Sequence, residues 1–165
     1  MLYCYMSSPV GQLLLAGDAA SLHLIGFPQG KGYVARDPDW TEDVARFKSE
    51  RQQLEEYFQG QRQVFDMTLS PSGTRFQLQV LEALQGIPFG TTCSYADIAN
   101  RIGNPKAVRA VGAANGRNPL PIVIPCHRVI GANGSLTGFG GGLAAKAWLL
   151  DHENCLPTRA QAELF

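Results

Sequence analysis

Apolar residues alternate or fall in short blocks along the first part of the chain and later recur every three to four residues, and this change of period divides a β-rich start from a helical remainder. Residues 2–6, 12–16 and 22–27 are short apolar or alternating runs separated by turn-forming stretches at 8–11 and 17–21, which predicts a small antiparallel sheet. Residues 28–39, with Gly30, Gly32 and Pro38, read as a loop. From Thr41 the period becomes helical. Thr41 is the expected N-cap, Glu42 and Asp43 fill the first turn, Val44, Phe47, Leu54 and Phe58 form one apolar stripe, and Gly60 ends it. A further strand over 64–69 is expected to complete a first lobe spanning residues 1–70.

Ser70-Pro-Ser-Gly73 is the expected boundary, and 73–165 the second lobe. There 74–85 reads as a helix with Phe76, Val80, Leu81 and Leu84 on its buried side and Gly86 as terminator. Ser94 with Asp97 makes a capping-box-like start to a helix that stops at Gly103. Asn104 as N-cap and Pro105 at the first helical position predict another helix running to about Asn115. Two short helices joined by a Gly-containing turn make a helix-turn-helix. A last helix is expected over 143–152, and the fold class is α+β: a small N-terminal antiparallel sheet lobe with a helix, then a mainly helical lobe. The helix after Pro105 carries Ala107, Ala110 and Ala113 with Lys106 and Arg109 on one face, as suits a helix pressed into a nucleic-acid groove.

Composition, 45% apolar and 17% charged over 165 residues, is that of an ordinary globular chain and leaves no stretch near the roughly 20 apolar residues of a membrane span. The first cationic side chain is Lys31, so no secretory leader is expected, and the chain reads as cytoplasmic. Cys4, Cys93, Cys126 and Cys155 are widely spread and form no C-x-x-C pair, which argues against a disulfide framework and against a zinc site; Cys4 and His23 are too sparse a ligand set. The formal net charge of zero hides an uneven distribution. Residues 98–150 contain no Asp or Glu but hold Arg101, Lys106, Arg109, Arg117, Arg128 and Lys146, a local charge of +6 that points to a face meeting an anion.

Cys126 lies in the run Pro119-Leu-Pro-Ile-Val-Ile-Pro-Cys-His-Arg-Val-Ile130, directly before His127 and Arg128. A thiol beside an imidazole and a guanidinium is expected to favour thiolate, so Cys126 is the candidate nucleophile. Pro-Cys-His-Arg-Val, preceded by Arg117-Asn118-Pro-Leu-Pro and followed by Gly138-Phe-Gly-Gly-Gly-Leu143, closely resembles the active-site signature of the O6-alkylguanine-DNA alkyltransferases. The resemblance covers roughly residues 73–153 and extends more loosely over the N-terminal sheet.

It implies transfer of methyl or larger alkyl groups from O6 of guanine, and less readily from O4 of thymine, irreversibly onto Cys126 in a single turnover; the chemistry needs no cofactor, and one nucleophile per small chain requires only a monomer. His127 and Glu153 fall on the positions that generate the thiolate through a water; on residue type alone Glu153 reads as a solvated helix end. Tyr95 matches the proton donor to the leaving base and Asn118 the residue that ties the active-site turn. Arg109 matches the arginine that fills the base stack once the nucleotide is flipped out of double-stranded DNA, with the recognition helix in the minor groove. Arg101, Lys106 and Arg128 are expected among the DNA contacts. Phe139 and Gly140 stand where some members carry Tyr and Ser, so backbone N–H groups of Phe139, Gly140 and Gly141 would hold the lesion. The competing readings are a non-catalytic lesion-binding module, in whose known examples the nucleophile is replaced, and a cysteine hydrolase, for which no independent signature is present.

Overall fold

The computed structural model describes residues 1–157. Strands β1 (Leu2–Met6), β2 (Leu13–Gly17) and β3 (Leu22–Gly26) form the expected antiparallel meander, with Cys4 opposite Leu15 and Leu14 opposite Gly26. Strand β2 lies inside the sheet and is buried along its whole length because both faces are covered. Leu13 and Leu15 join the main core, while Leu14 and Ala16 pack with Tyr3 in a smaller cluster that includes Leu24, Val34 and Trp40.

The helix expected to start at Thr41 starts later. Thr41–Glu42 is a short strand, β4, that runs parallel to β1, with Thr41 N–H on Met1 O at 3.0 Å and Asp43 N–H on Tyr3 O at 2.8 Å. The open edge of β1 takes these backbone groups, and the N-terminal side-chain bond passes to Asp43, whose Oδ1 accepts from Arg46 N–H at 3.1 Å. A 3-10 turn, Ala45–Phe47, then leads into α1, Lys48–Phe58. Its buried face holds Phe47, Leu54 and Tyr57, whereas Val44 is 43% exposed, so the stripe runs one position away from the expected Phe58.

The strand expected at 64–69 is absent apart from one bridge between Leu22 and Leu69. Side-chain bonds replace the ladder: Gln53 Nε2 donates to Asp66 O and Gln53 Oε1 accepts from Asp66 N–H, both at 2.8 Å.

Helix α2 (Arg75–Gln85) begins with a capping box between Thr74 and Gln77, and α3 (Tyr95–Arg101) with the expected one between Ser94 and Asp97. Gly103, at φ +76°, ends α3 in a Schellman arrangement, its N–H on Asn100 O at 3.1 Å and Asn104 N–H on Ala99 O at 3.0 Å. Asn104 therefore closes α3 instead of capping the next helix. Residues 104–107 make a turn, α4 runs over Val108–Gly116, and Lys106 lies outside the helix it was expected to share with Arg109. Strand β5 (Cys93–Ser94) pairs in parallel with β6 (Val129–Ile130), which fixes the start of α3 beside the segment that follows Cys126. Helix α5 spans Leu143–His152, as expected.

The main apolar core is continuous between the two halves of the described residues. It joins Leu13, Leu15 and Phe27 of the sheet region to Leu54 and Tyr57 of α1, Val80 and Leu84 of α2, Ile98 of α3, Val111 of α4 and Leu120, Ile122 and Ile124 ahead of the cysteine. Each such fully buried aliphatic contributes about 1.5–3 kcal/mol, so the segment that carries Cys126 is anchored on both sides. No helix among the described residues is long and apolar enough to cross a membrane.

Candidate active site

The residues before Cys126 hold a tightly constrained backbone. Ile122 adopts φ +75°, a left-handed conformation that a β-branched residue takes only when its surroundings impose it. Pro125, at φ −80° and ψ 63°, is the centre of an inverse γ-turn closed by Cys126 N–H on Ile124 O at 2.8 Å. Asn118 bridges the loop: its Nδ2 donates to Ile124 O at 2.8 Å and its Oδ1 accepts from Leu120 N–H at 2.9 Å. Cys126–Arg128 then forms a single 3-10 turn, all three side chains buried.

Behind the thiol, His127 Nε2 is 2.7 Å from Glu153 Oε2, both side chains fully removed from solvent. Glu153 is thus no solvated helix end. Burial works to raise its carboxyl, and hydrogen bonds from His127 and Arg128 outweigh it, holding the group far below the usual carboxylate range. Burial pushes His127 down despite the neighbouring Glu153, so the imidazole is neutral at physiological pH. Its Nδ1 is buried and has no hydrogen-bond partner among the described residues.

Two expectations about charge are corrected. Arg128 does not meet DNA: it is 6% exposed, with Nε on Glu153 Oε1 at 2.7 Å and an NH1 bond to Ile87 O at 2.8 Å. Nor does Arg128 or His127 make the resting cysteine a thiolate. Burial raises the Cys126 thiol, and Asn118, the charge of Lys146 and the backbone N–H groups of Cys126 and His127 offset this only in part. The cation acting on the sulfur is Lys146, which is fully buried on α5 and donates to Val129 O at 2.7 Å and Thr137 O at 2.8 Å. Burial brings it down to about 8, against the pull of Cys126. The sequence signal for Lys146 was a single cation inside the apolar helix Leu143–His152.

Cys126 lines a cavity of about 320 Å³ together with Phe139, Gly140, Asn118 and, from the N-terminal half, Phe27 and Lys31. A second cavity, about 530 Å³, shares Phe139 and Gly140 and is lined by Tyr95, Gly112, Ala113 and Thr137. Tyr95 Oη lies 2.7 Å from Thr137 Oγ1. Burial raises the Tyr95 phenol against that hydrogen bond, and the charge of Cys126 raises it further, so it carries its proton at neutral pH. Phe139 is buried and packs edge-on to Phe27 at 5.3 Å, while Gly32 N–H donates to Gly140 O at 2.7 Å, so the loop with Phe139, Gly140 and Gly141 is held from the N-terminal half. A Cβ at Gly32 would lie 2.8 Å from the Gly140 carbonyl carbon, a contact only glycine permits.

Arg101, Lys106, Arg109, Ala110 and Ala113 are exposed and Ala107 is half-buried, so cations and small residues share the surface around α4 at the edge of the second cavity. Tyr57, Thr137 and Lys146 are site residues that the sequence pattern did not single out. Among the described residues no cluster of His, Cys, Asp or Glu is arranged to hold a metal ion.

A buried thiol beside a buried His–Glu pair, lining one of two neighbouring cavities near an exposed surface that carries Arg101, Lys106 and Arg109, defines a cysteine-dependent group-transfer protein with an α+β fold. Residues 75–155 match the family model described as 6-O-methylguanine DNA methyltransferase, DNA binding domain, and residues 1–71 match its ribonuclease-like domain. A methylated-DNA–protein-cysteine methyltransferase of Methanosarcina acetivorans is 50% identical over 153 residues, 93% of this chain and 98% of the relative. The Mycobacterium tuberculosis protein of the same name is 46% identical over 162 residues, covering 98% and 96%. The crystal structure of Mycobacterium tuberculosis OGT in complex with DNA superposes with a TM-score of 0.87 at 43% identity, covering 96% of each chain. The chain belongs to the 6-O-methylguanine DNA methyltransferase family.

Proposed function

We propose that this chain repairs alkylated double-stranded DNA by moving the alkyl group from O6 of guanine, and less readily from O4 of thymine, onto Cys126. The observation that carries the reading is Cys126 on the wall of a cavity with the buried His127–Glu153 pair behind it. A water bridging Cys126 to the unpartnered Nδ1 of His127 would take the thiol proton, leaving imidazolium facing Glu153. The thiolate, countered by Lys146, attacks the alkyl carbon: an S–C bond forms, the C–O6 bond breaks, and the electron pair leaves with the base. Tyr95 supplies the proton that makes the leaving guanine neutral, its hydroxyl being oriented by Thr137. These steps balance without a cofactor. A thioether does not leave at neutral pH, so each chain acts once, as a monomer.

The base must leave the duplex to reach a buried sulfur. In this reading α3 and α4 form a helix-turn-helix whose second helix enters the minor groove, where Ala107, Ala110 and Ala113 permit close approach, Arg109 fills the vacated stack, and Lys106 and Arg101 neutralise phosphates. Phe139, Gly140 and Gly141 cover the flipped base. Residues 1–70 and 73–165 act as two lobes, and the setting is the cytoplasm.

Cys126→Ala is the direct test. It should retain binding to O6-methylguanine duplex and lose transfer altogether; loss of binding together with transfer, or residual demethylation, would reject Cys126 as the acceptor.

A further inference from the structure

Among the described residues three hydrogen bonds run from the N-terminal half to the active-site loops and carboxylate, and one of them ends on the carboxylate itself. Ile25 N–H donates to Pro119 O at 2.8 Å and Gly32 N–H to Gly140 O at 2.7 Å, both holding loops. The third is the hydroxyl of Tyr57, on α1, which lies 2.5 Å from Glu153 Oε2, 96 residues away in the chain. We propose that Tyr57 is a positioning residue for the transfer, holding Glu153 Oε2 in the orientation that receives His127.

The oxygen concerned is the one that matters. Glu153 Oε1 takes Arg128 Nε at 2.7 Å and Gly90 N–H at 3.3 Å, whereas Oε2 takes His127 at 2.7 Å, the other Arg128 nitrogen, NH2, at 3.1 Å and Tyr57 at 2.5 Å. Among the described residues Tyr57 is therefore the one donor to Oε2 from outside the stretch that carries Cys126, His127 and Arg128. Its ring is fixed from several sides, by Phe58 and Phe65 at 5.4 Å, Phe89 at 6.3 Å and His152 at 5.1 Å. His152 Nε2 also lies 2.6 Å from the Tyr57 carbonyl, tying α1 to the end of α5 just before Glu153. The phenol is fully buried and, through burial and the charge of Glu153, held well above its ordinary range, so it stays a donor throughout the working pH.

The chemistry follows from donor competition. A carboxylate oxygen that already accepts from a phenol and a guanidinium has less charge to offer His127, so the proton taken from Cys126 stops on the imidazole instead of passing to Glu153. The charged and titratable groups acting on the pair are Arg128 from the turn, Lys146 from α5, Cys155 beyond it and Tyr57 from α1, while His152 of α5 lies against the Tyr57 carbonyl. Tyr57 alone among them can be altered by one oxygen atom while its ring packing is kept. Removing that hydroxyl makes both Glu153 and His127 more basic. Because the pair must be free of its extra proton to accept one from Cys126, the acid limb of the rate profile must then move to higher pH.

The proposal rests on the alkyl-transfer reading, and the test separates the two. The pH dependence of Cys126 modification is measured on the full chain with O6-benzylguanine and, independently of that reading, with iodoacetamide. Tyr57→Phe should move the acid limb up by about one pH unit with both reagents. Phe65→Leu, which disturbs the same aromatic cluster without touching Glu153, should leave the limb in place. Replacing Tyr57 with 3-fluorotyrosine, which has nearly the same shape and is a stronger donor, should move the limb the other way and keeps the test available if Tyr57→Phe fails to fold. An unmoved limb in folded Tyr57→Phe, or the same displacement in Phe65→Leu, would overturn the positioning role. Failure of wild-type protein to react with O6-benzylguanine, with the iodoacetamide shifts intact, would instead reject the alkyl-transfer reading and leave the Tyr57–Glu153 relationship standing.

Discussion

Arg128 and Glu153 face each other inside the protein as a two-point ion pair, Nε on Oε1 at 2.7 Å and NH2 on Oε2 at 3.1 Å. The planar fork of a guanidinium spans both carboxylate oxygens and still leaves NH1 for Ile87 O. Arg128→Ala would strand a buried carboxylate, and removing one partner of such a pair costs about 3–5 kcal/mol. The urea midpoint should fall accordingly, with Arg128→Lys between the two because an ammonium cannot span both oxygens. DNA affinity of whatever remains folded should keep the wild-type salt dependence, since this cation faces inward.

Lys146 is the countercharge to the thiolate, so Lys146→Met should raise the Cys126 thiol further. Iodoacetamide labelling at pH 7 should slow about tenfold, one unit of thiol ionisation. A stability signature accompanies it. The ammonium titrates at about 8 in the fold against 10.5 ordinarily, so between those values the unfolded chain binds more protons and this group makes stability rise with pH. Burial of Cys4, Cys126 and Tyr57 acts in the opposite sense, their folded forms holding protons longer. The quantity to read is therefore the difference between wild type and Lys146→Met in melts from pH 7 to 10.5: wild type should gain on the variant as pH rises.

Most of the fold was legible because it is written locally. The continuous apolar run of Leu13 to Ala16, the Ser94–Asp97 capping box and the apolar spacing of α5 each specify their element without help from the rest of the chain. The errors lie where a distant partner decides. Thr41 joins an open strand edge, the backbone of Asp66 is claimed by the Gln53 side chain, and Asn104 is taken up in ending α3. The site shows the same division. Cys126 and His127 are adjacent and could be read there, Asn118 and Glu153 entered only through the family resemblance, and Lys146 and Tyr57 matter only because folding buries them beside the others. Tyr57 did leave a local trace, three residues after Leu54 on the buried face of α1. The +6 stretch misled for the same reason: Arg128 and Lys146 are interior charges, and only the others are free to face an anion.

Gripping DNA and opening it should separate by mutation. Lys106→Ala and Arg101→Ala, both exposed, should weaken binding to any duplex and lower the salt slope by about one each. Arg109→Ala should slow repair of a duplex lesion at least tenfold while leaving reaction with free O6-benzylguanine near wild type, since that substrate needs no flipping. Equal losses on both substrates would show that Arg109 supports the fold instead.

The central claim is that one thiol accepts one alkyl group, once. Titrating the folded protein with a duplex carrying a single O6-methylguanine, followed by intact mass and peptide mapping, tests it most directly. The account predicts a mass gain of one methyl group, located on Cys126 and not on Cys4, Cys93 or Cys155, with repair ending at one equivalent of lesion per active chain. Repair continuing well past one equivalent, or a methyl found on any residue other than Cys126, would contradict it.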